Sequence, residues 1–301
     1  MKKIQSGDIR SLARCISLVE NEVDGYRQFM RALPVSGTPI IGITGPPGAG
    51  KSTLTDELIA SFVSQDKKVA VLCIDPSSPF NLGALLGDRI RMSRWYNNDA
   101  VFIRSLASRG SLGGLNPKII EISDVLKVSG FDAVIVETVG VGQSEIEIAG
   151  LADVTVVVLV PEAGDEIQTM KAGLMEIADV FVINKCDRPG ADIFAKNLRL
   201  MLAPAFSRTQ VEIPVVSTIA ARKEGIGNLY NAVMRRLQNL SIKSTRSWLL
   251  ADKAYQLIQK ERMRDVKKEA LRQQIEQDPN VNIYRFTENY YLQKDKSNNN
   301  F

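Results

Sequence analysis

Gly45-Pro46-Pro47-Gly48-Ala49-Gly50-Lys51-Ser52 stands between an apolar run at 40–44 and a helical stretch at 53–62. No other feature constrains the fold as tightly. It fits the spacing GxxxxGK[ST], in which glycines let successive backbone N–H groups converge on phosphate oxygens and the following helix offers its N-terminus to the anion. In such a loop the Lys51 ammonium neutralises the terminal phosphates and the Ser52 hydroxyl faces Mg²⁺. Thr53 opens the helix. A strand before and a helix after the loop are both required, and the sequence supplies both.

The surrounding pattern repeats that unit. Runs rich in Val and Ile at 40–44, 69–74, 133–136, 154–160, 180–183 and 211–216 alternate with helical stretches. They are apolar at consecutive positions, as in strands buried on both faces. The fold class expected is α/β: a P-loop NTPase with a doubly wound, mostly parallel sheet and helical N- and C-terminal extensions. Residues 1–36 read as a helical extension with Ile9, Leu12, Ala13, Ile16 and Val19 on one face, 37–240 as the nucleotide-binding domain, and 241–301 as a C-terminal helical segment. Within the last, 248–275 reads as one long amphipathic helix ended by Asp278-Pro279-Asn280, and 294–300 as a frayed polar tail.

Among 301 residues there is no histidine. That excludes Ser-His-Asp and Cys-His nucleophiles and His-ligated zinc. The three cysteines, Cys15, Cys73 and Cys186, are too scattered for a disulfide framework or a thiolate metal site. The net charge of +4 is concentrated in 241–270, where eight Lys/Arg face four Asp/Glu. Those charges alternate in sign at helical spacing without interleaved aromatics, which points to a solvated helix and not to nucleic-acid binding. No apolar run is long enough to span a membrane and no signal-like block opens the chain, so a cytoplasmic location is expected.

Asn184-Lys185-Cys186-Asp187 follows the run at 180–183. An ionised carboxylate only accepts hydrogen bonds, so Asp187 suits the adjacent N–H and amino donors of guanine and mismatches adenine. Asn184 and Lys185 would orient the loop and pack along the base, and Ser217, Thr218, Ile219 and Ala220, after the last run, would complete the base pocket. Asp75 and Glu137 end two other runs at the strand edge beside the phosphate loop, where a Mg²⁺ shell is built. Gly140 is placed to sense a γ-phosphate through its N–H. Val141 stands where familiar small GTPases carry a water-orienting glutamine, which predicts slow intrinsic hydrolysis.

With these motifs, the chain resembles the MeaB/ArgK family, GTPases that act as chaperones of adenosylcobalamin-dependent methylmalonyl-CoA mutase. The resemblance rests on the phosphate loop, Asp75-Pro76-Ser77-Ser78, Gly87-Asp88-Arg89-Ile90-Arg91-Met92, Ser111-Leu112-Gly113-Gly114, the 136–145 stretch Val136-Glu137-Thr138-Val139-Gly140-Val141-Gly142-Gln143-Ser144-Glu145, Ala163-Gly164-Asp165-Glu166-Ile167-Gln168, and the 184–187 box. It implies that Asp75, Asp88 and Glu137 gather around Mg²⁺ beside Ser52, with Lys51, Asp88, Glu137 and Gly140 serving hydrolysis. It further implies three switches, at 75–92, 137–145 and 161–171, a homodimer joined through the C-terminal helices, and an acyl-CoA mutase partner whose cofactor loading or protection GTP gates. A kinase acting on a periplasmic lysine/arginine/ornithine transport protein is the competing reading. A nickel-insertion GTPase is disfavoured by the missing histidines.

Overall fold

The computed structural model describes residues 2–75, 92–108, 115–140, 144–161, 177–209, 212–239, 244–263, 265–278 and 281–298. The chain separates into two compact units, Met1–Leu249 and Leu250–Phe301.

The first unit is built on a seven-stranded sheet of β1 (Ile40–Thr44), β2 (Val69–Asp75), β3 (Val101–Ala107), β4 (Ala133–Glu137), β5 (Val154–Leu159), β6 (Val180–Ile183) and β7 (Val215–Ser217). Their order is β3-β2-β4-β1-β5-β6-β7, and every neighbouring pair is parallel. The chain first winds outward from β1 and then returns to lay β5 on its other side, which opens a crevice at the carboxyl ends of the central strands. The consecutive apolar positions have a two-layer cause. In β2, Val69, Val71 and Cys73 join one core with Leu54, Leu58 and Phe62 of the helix after the phosphate loop. Ala70, Leu72 and Ile74 join a second core on the opposite face, with Ile119, Ile122 and Leu126. A third core packs Phe181 and Ile183 against Phe194, Leu198 and Leu202.

The first three helices are α1 (Lys2–Gln5), α2 (Ile9–Glu20) and α3 (Tyr26–Arg31), so the helix expected over 1–36 is divided. Gly7 and Gly25 interrupt it with φ of 82° and 89°. Asp8 starts α2 by accepting hydrogen bonds from the Arg10 and Ser11 backbone N–H groups. Leu12, Ile16 and Val19 are buried in the same core as β2 and β4, so the N-terminal helices are part of the nucleotide domain's packing. Arg104 of β3 adds an ion pair to Glu20 at 3.1 Å.

Two strands depart from expectation. β3 carries no uninterrupted apolar run, because its Arg104 and Ser105 are half-exposed at the sheet edge. β7 occupies 215–217 where 211–216 was expected, with Val211 outside the described residues: Pro214 lacks the N–H that a ladder requires, although its carbonyl accepts from the Phe181 N–H.

Along the rest of this unit lie α4 (Lys51–Val63), α5 (Ile119–Lys127), α6 (Ser144–Leu151), α7 (Ala191–Thr209) and α8 (Ile226–Gln238). Helix α9 (Ser244–Arg262) crosses the division at Leu249, and α10 (Lys268–Glu276) and α11 (Ile283–Asn298) follow. The expected single helix at 248–275 is therefore two. The 294–300 tail is helical as far as Asn298, in a helix opened by Asn282, whose side-chain oxygen accepts from the Tyr284 and Arg285 N–H groups. Tyr255, Ile258 and Tyr284 are 65%, 55% and 82% exposed, leaving this unit with apolar surface open to solvent.

Candidate functional site

The phosphate loop closes β1 and opens α4. Gly45, Gly48 and Gly50 all have left-handed φ, of 140°, 76° and 89°. A Cβ on Gly45 would strike the carbonyl oxygen of Val158, and one on Gly50 would strike the Asn184 amide. The loop therefore requires glycine both for its turns and for its close approach to β5 and to the residues after β6. Lys51 is buried, and its ammonium lies under the loop, donating to the carbonyls of Gly45 (2.9 Å), Pro46 (3.1 Å) and Val139 (3.3 Å). Pro47, Gly48 and Thr53 are exposed, while Ala49 and Ser52 are buried.

Glu137, buried at the end of β4, sits in register with Ile43 of β1 and Cys73 of β2. Ser52 Oγ donates to its Oε1 at 2.6 Å and Thr55 Oγ1 donates to its Oε2 at 2.8 Å. The Thr55 hydroxyl also reaches the Lys51 carbonyl at 2.9 Å, so it shares its single proton. Ser52 and Thr55 lie three residues apart on one face of α4, and that helical spacing is the sequence signal that marks Thr55. Asp75 is buried at the end of β2, two residues beyond the position paired with Glu137. A hydroxyl proton given to a carboxylate leaves the serine oxygen lone pairs for a cation. Ser52 and Glu137 are hard oxygen groups in contact, and Asp75 is a second buried carboxylate at the end of the neighbouring strand; these residue types suit Mg²⁺, which is held by few protein groups alongside water and phosphate. Among the described residues no group of three or more His, Cys, Asp or Glu forms an all-protein cage.

Gly140 has φ of 87°, and a Cβ there would collide with Gly45 O and the Lys51 ammonium. The segment after β4 thus lies directly on the phosphate loop. Thr44 and Thr138 share a hydrogen bond of 2.9 Å just beneath it. Asp88, Val141 and most of 161–171 lie outside the described residues.

Asn184 ties the loop to the base side. Its amide donates to the Ala49 carbonyl at 2.9 Å, and its oxygen accepts from Thr218 Oγ1 and the Ala220 N–H, both at 3.1 Å. Lys185, itself at φ 58°, reaches Gly48 O at 2.7 Å. Asp187 is exposed and lies 3.7 Å from the Arg222 guanidinium. Thr218 is buried, Ile219 half-buried and Ser217 exposed, and Gly225, at φ 77°, packs against Ser217 O. The structure thus brings the loop, Glu137, Gly140, the 184–187 box and 217–220 to one crevice, and adds Thr55 and Thr138.

The family model described as methylmalonyl Co-A mutase-associated GTPase MeaB matches residues 12–279. The chain belongs to the MeaB family. A protein of Pyrococcus abyssi (strain GE5 / Orsay) named as a GTPase is 47% identical over 266 residues, covering 87% of this chain and 81% of that protein. The fused isobutyryl-CoA mutase of Geobacillus kaustophilus (strain HTA426) is 38% identical over 237 residues, covering 74% of this chain and 22% of that protein. Among solved structures, an LAO/AO transport system kinase superposes with a TM-score of 0.67 at 28% identity, over 88% of this chain and 84% of that one. As a MeaB protein this chain is a GTPase and binds guanine nucleotide, and its sheet and phosphate loop are those of a P-loop nucleotide-binding fold. Among the described residues no helix is long and apolar enough to cross a membrane.

Proposed function

We propose that this MeaB protein is a Mg²⁺-dependent GTPase switch in the cytoplasm that binds an adenosylcobalamin-dependent acyl-CoA mutase of the methylmalonyl-CoA mutase type and gates cofactor loading or protection. The observation that carries the partner is the fused isobutyryl-CoA mutase, a chain that contains both a mutase and a segment 38% identical to this GTPase. A segment of this kind carried in one chain with a mutase is held beside it, which supports association between such a GTPase and a mutase.

The site residues then take these roles. Gly45, Pro46, Pro47, Gly48, Ala49, Gly50 and Thr53 wrap the phosphates, and Lys51 moves its charge from the loop carbonyls to the β- and γ-phosphates. Ser52, Asp75, Asp88 and Glu137 hold Mg²⁺, which supplies charge neutralisation of the phosphates when bound. Asp187 accepts from guanine, while Asn184, Lys185, Ser217, Thr218 and Ile219 shape the base pocket. Gly140, pressed on the loop, reports the γ-phosphate to the segment that follows it, so that the GTP and GDP forms present different surfaces to the mutase. The second unit, with its open apolar positions, joins two copies into a homodimer.

Mixing the purified chain with the mutase and running gel filtration in a non-hydrolysable GTP analogue and in GDP tests this reading. Nucleotide-dependent co-elution supports it, and separate elution in both states refutes the partner. The kinase reading draws on the transport-system kinase similarity. It predicts instead that labelled γ-phosphate appears on a periplasmic lysine/arginine/ornithine binding protein.

A further inference from the structure

Behind the base pocket, a charged cluster on α4 serves none of the roles above. Glu57 is nine-tenths buried, and its two carboxylate oxygens face different segments. Oε1 accepts from Arg94 Nη2 at 2.9 Å, and Oε2 lies 4.0 Å from Lys223 Nζ. Arg94 belongs to the short 3₁₀ turn Ser93–Trp95. Its guanidinium is fully oriented by neighbours: Nε donates to Asp56 Oδ1 at 3.0 Å, Nη2 to the Asp56 carbonyl at 2.9 Å, and the plane lies 4.8 Å over the Trp95 ring. Trp95 closes the arrangement by donating its indole N–H to Asp56 at 2.6 Å. Arg94 therefore fixes one oxygen of Glu57 and leaves the other aimed at Lys223.

Lys223 caps the 3₁₀ turn Ala220–Arg222 with φ of 62°. That turn is stiff: Ile219 and Glu224 form a backbone bridge, Gly225 packs on Ser217 O, and the Ala220 N–H is bound by Asn184. A pull on Lys223 acts on the whole 217–225 loop, and through Ala220 on the residue that joins the base box to the phosphate loop. Helix α8, which follows the loop, is seated on the same helix α4 by the edge-to-face pair Phe62–Tyr230, with ring centroids 5.1 Å apart.

We infer that Glu57 is a positioning residue for the base loop, and that the Arg94–Glu57–Lys223 bridge sets how long guanine nucleotide stays bound. The inference rests on the guanine site described above. It places no new group on the nucleotide; Glu57 acts through Lys223, and Arg94 acts through Glu57.

The test is release of fluorescent mant-GDP from the full chain, chased with excess GDP, in wild type, Glu57→Gln, Lys223→Asn and the double variant. Asparagine is chosen at 223 because it tolerates the left-handed conformation. Each single variant is expected to speed release about two- to fivefold, the range set by an ion pair with one exposed partner. The double variant should release no faster than the faster single one, because both remove the same bridge. A Glu57→Gln change that lowers only the melting temperature overturns the inference, as do single effects that multiply in the double variant. If Glu57→Gln does not fold, Lys223→Asn alone decides: release within 1.5-fold of wild type overturns the assignment. A wild-type chain that fails to bind mant-GDP overturns the guanine site itself, an outcome separable from all of these.

Discussion

Asn184→Ala is the substitution that most sharply separates the site from its scaffold. The side chain is buried and makes three hydrogen bonds, one to Ala49 O and two at its own oxygen from Thr218 and Ala220. A neutral hydrogen bond contributes about 1 kcal/mol net, so the three together are worth about 3 kcal/mol before any water enters the gap. For a folding unit of this size, each kcal/mol moves the melting temperature by about 2–4 °C. The expected drop is thus about 6–12 °C in the nucleotide-free protein. One of the three bonds, from the Ala220 N–H, orients the base loop, and losing its share of about 1 to 1.4 kcal/mol corresponds to about five- to tenfold in Kd. Thermal unfolding and mant-GTP titration on the same preparation measure both. A lowered melting temperature with nucleotide affinity within twofold of wild type would refute the claim that Asn184 couples the phosphate loop to the base pocket.

Three further outcomes follow from the same structure. Asp187→Asn replaces a pure acceptor by an amide that sets an NH₂ donor group beside a C=O acceptor, so GTP binding should fall by more than about a hundredfold while xanthosine triphosphate, which offers N–H beside C=O, gains; competition binding with the two nucleotides checks it. Gly140→Ala should impair GTP hydrolysis severely, because the new Cβ meets Gly45 O and the Lys51 ammonium at a left-handed φ; a steady-state phosphate assay reads this, and wild-type turnover would contradict it. Lys118 is held above its ordinary lysine value: burial pushes it down, but its ion pairs to Glu22 and Glu121 and its place over Tyr26 outweigh that. Its folded-state pKa being the higher, its contribution to stability is complete below the unfolded value near 10.5 and is lost as pH rises through the folded value. Lys118→Met should therefore flatten the alkaline limb of a stability profile and leave the region from pH 6 to 8 with a constant offset.

The central strands were legible because burial on two faces leaves a plain signature. β1 and β6 fall where consecutive Ile and Val predict them, and Glu137 and Asp75 end their strands as expected, each one residue later than the apolar run. Edges were less legible. Arg104 breaks the pattern of β3 because its guanidinium is needed by Glu20 of α2, a tertiary pairing that no local period reveals. At β7 the apolar run was too long, since Pro214 can accept from Phe181 but cannot donate. In the site, the residues within motifs are marked by the motifs and Thr55 by its helical spacing from Ser52, whereas the bond from Thr138 to Thr44 depends on which strand end lies beside which. Arg94 and Glu57 stand 37 positions apart in sequence and meet only because β3 and α4 flank the same strand.

The proposed switch is tested most directly by the GTP hydrolysis rate of this chain, measured in Mg²⁺ alone and after adding a stoichiometric adenosylcobalamin-dependent acyl-CoA mutase. The expected results are slow turnover of GTP, little of ATP, and a several-fold change in the GTP rate when the mutase is present. A rate that the mutase leaves unaltered, or a preference for ATP, would contradict the proposed switch.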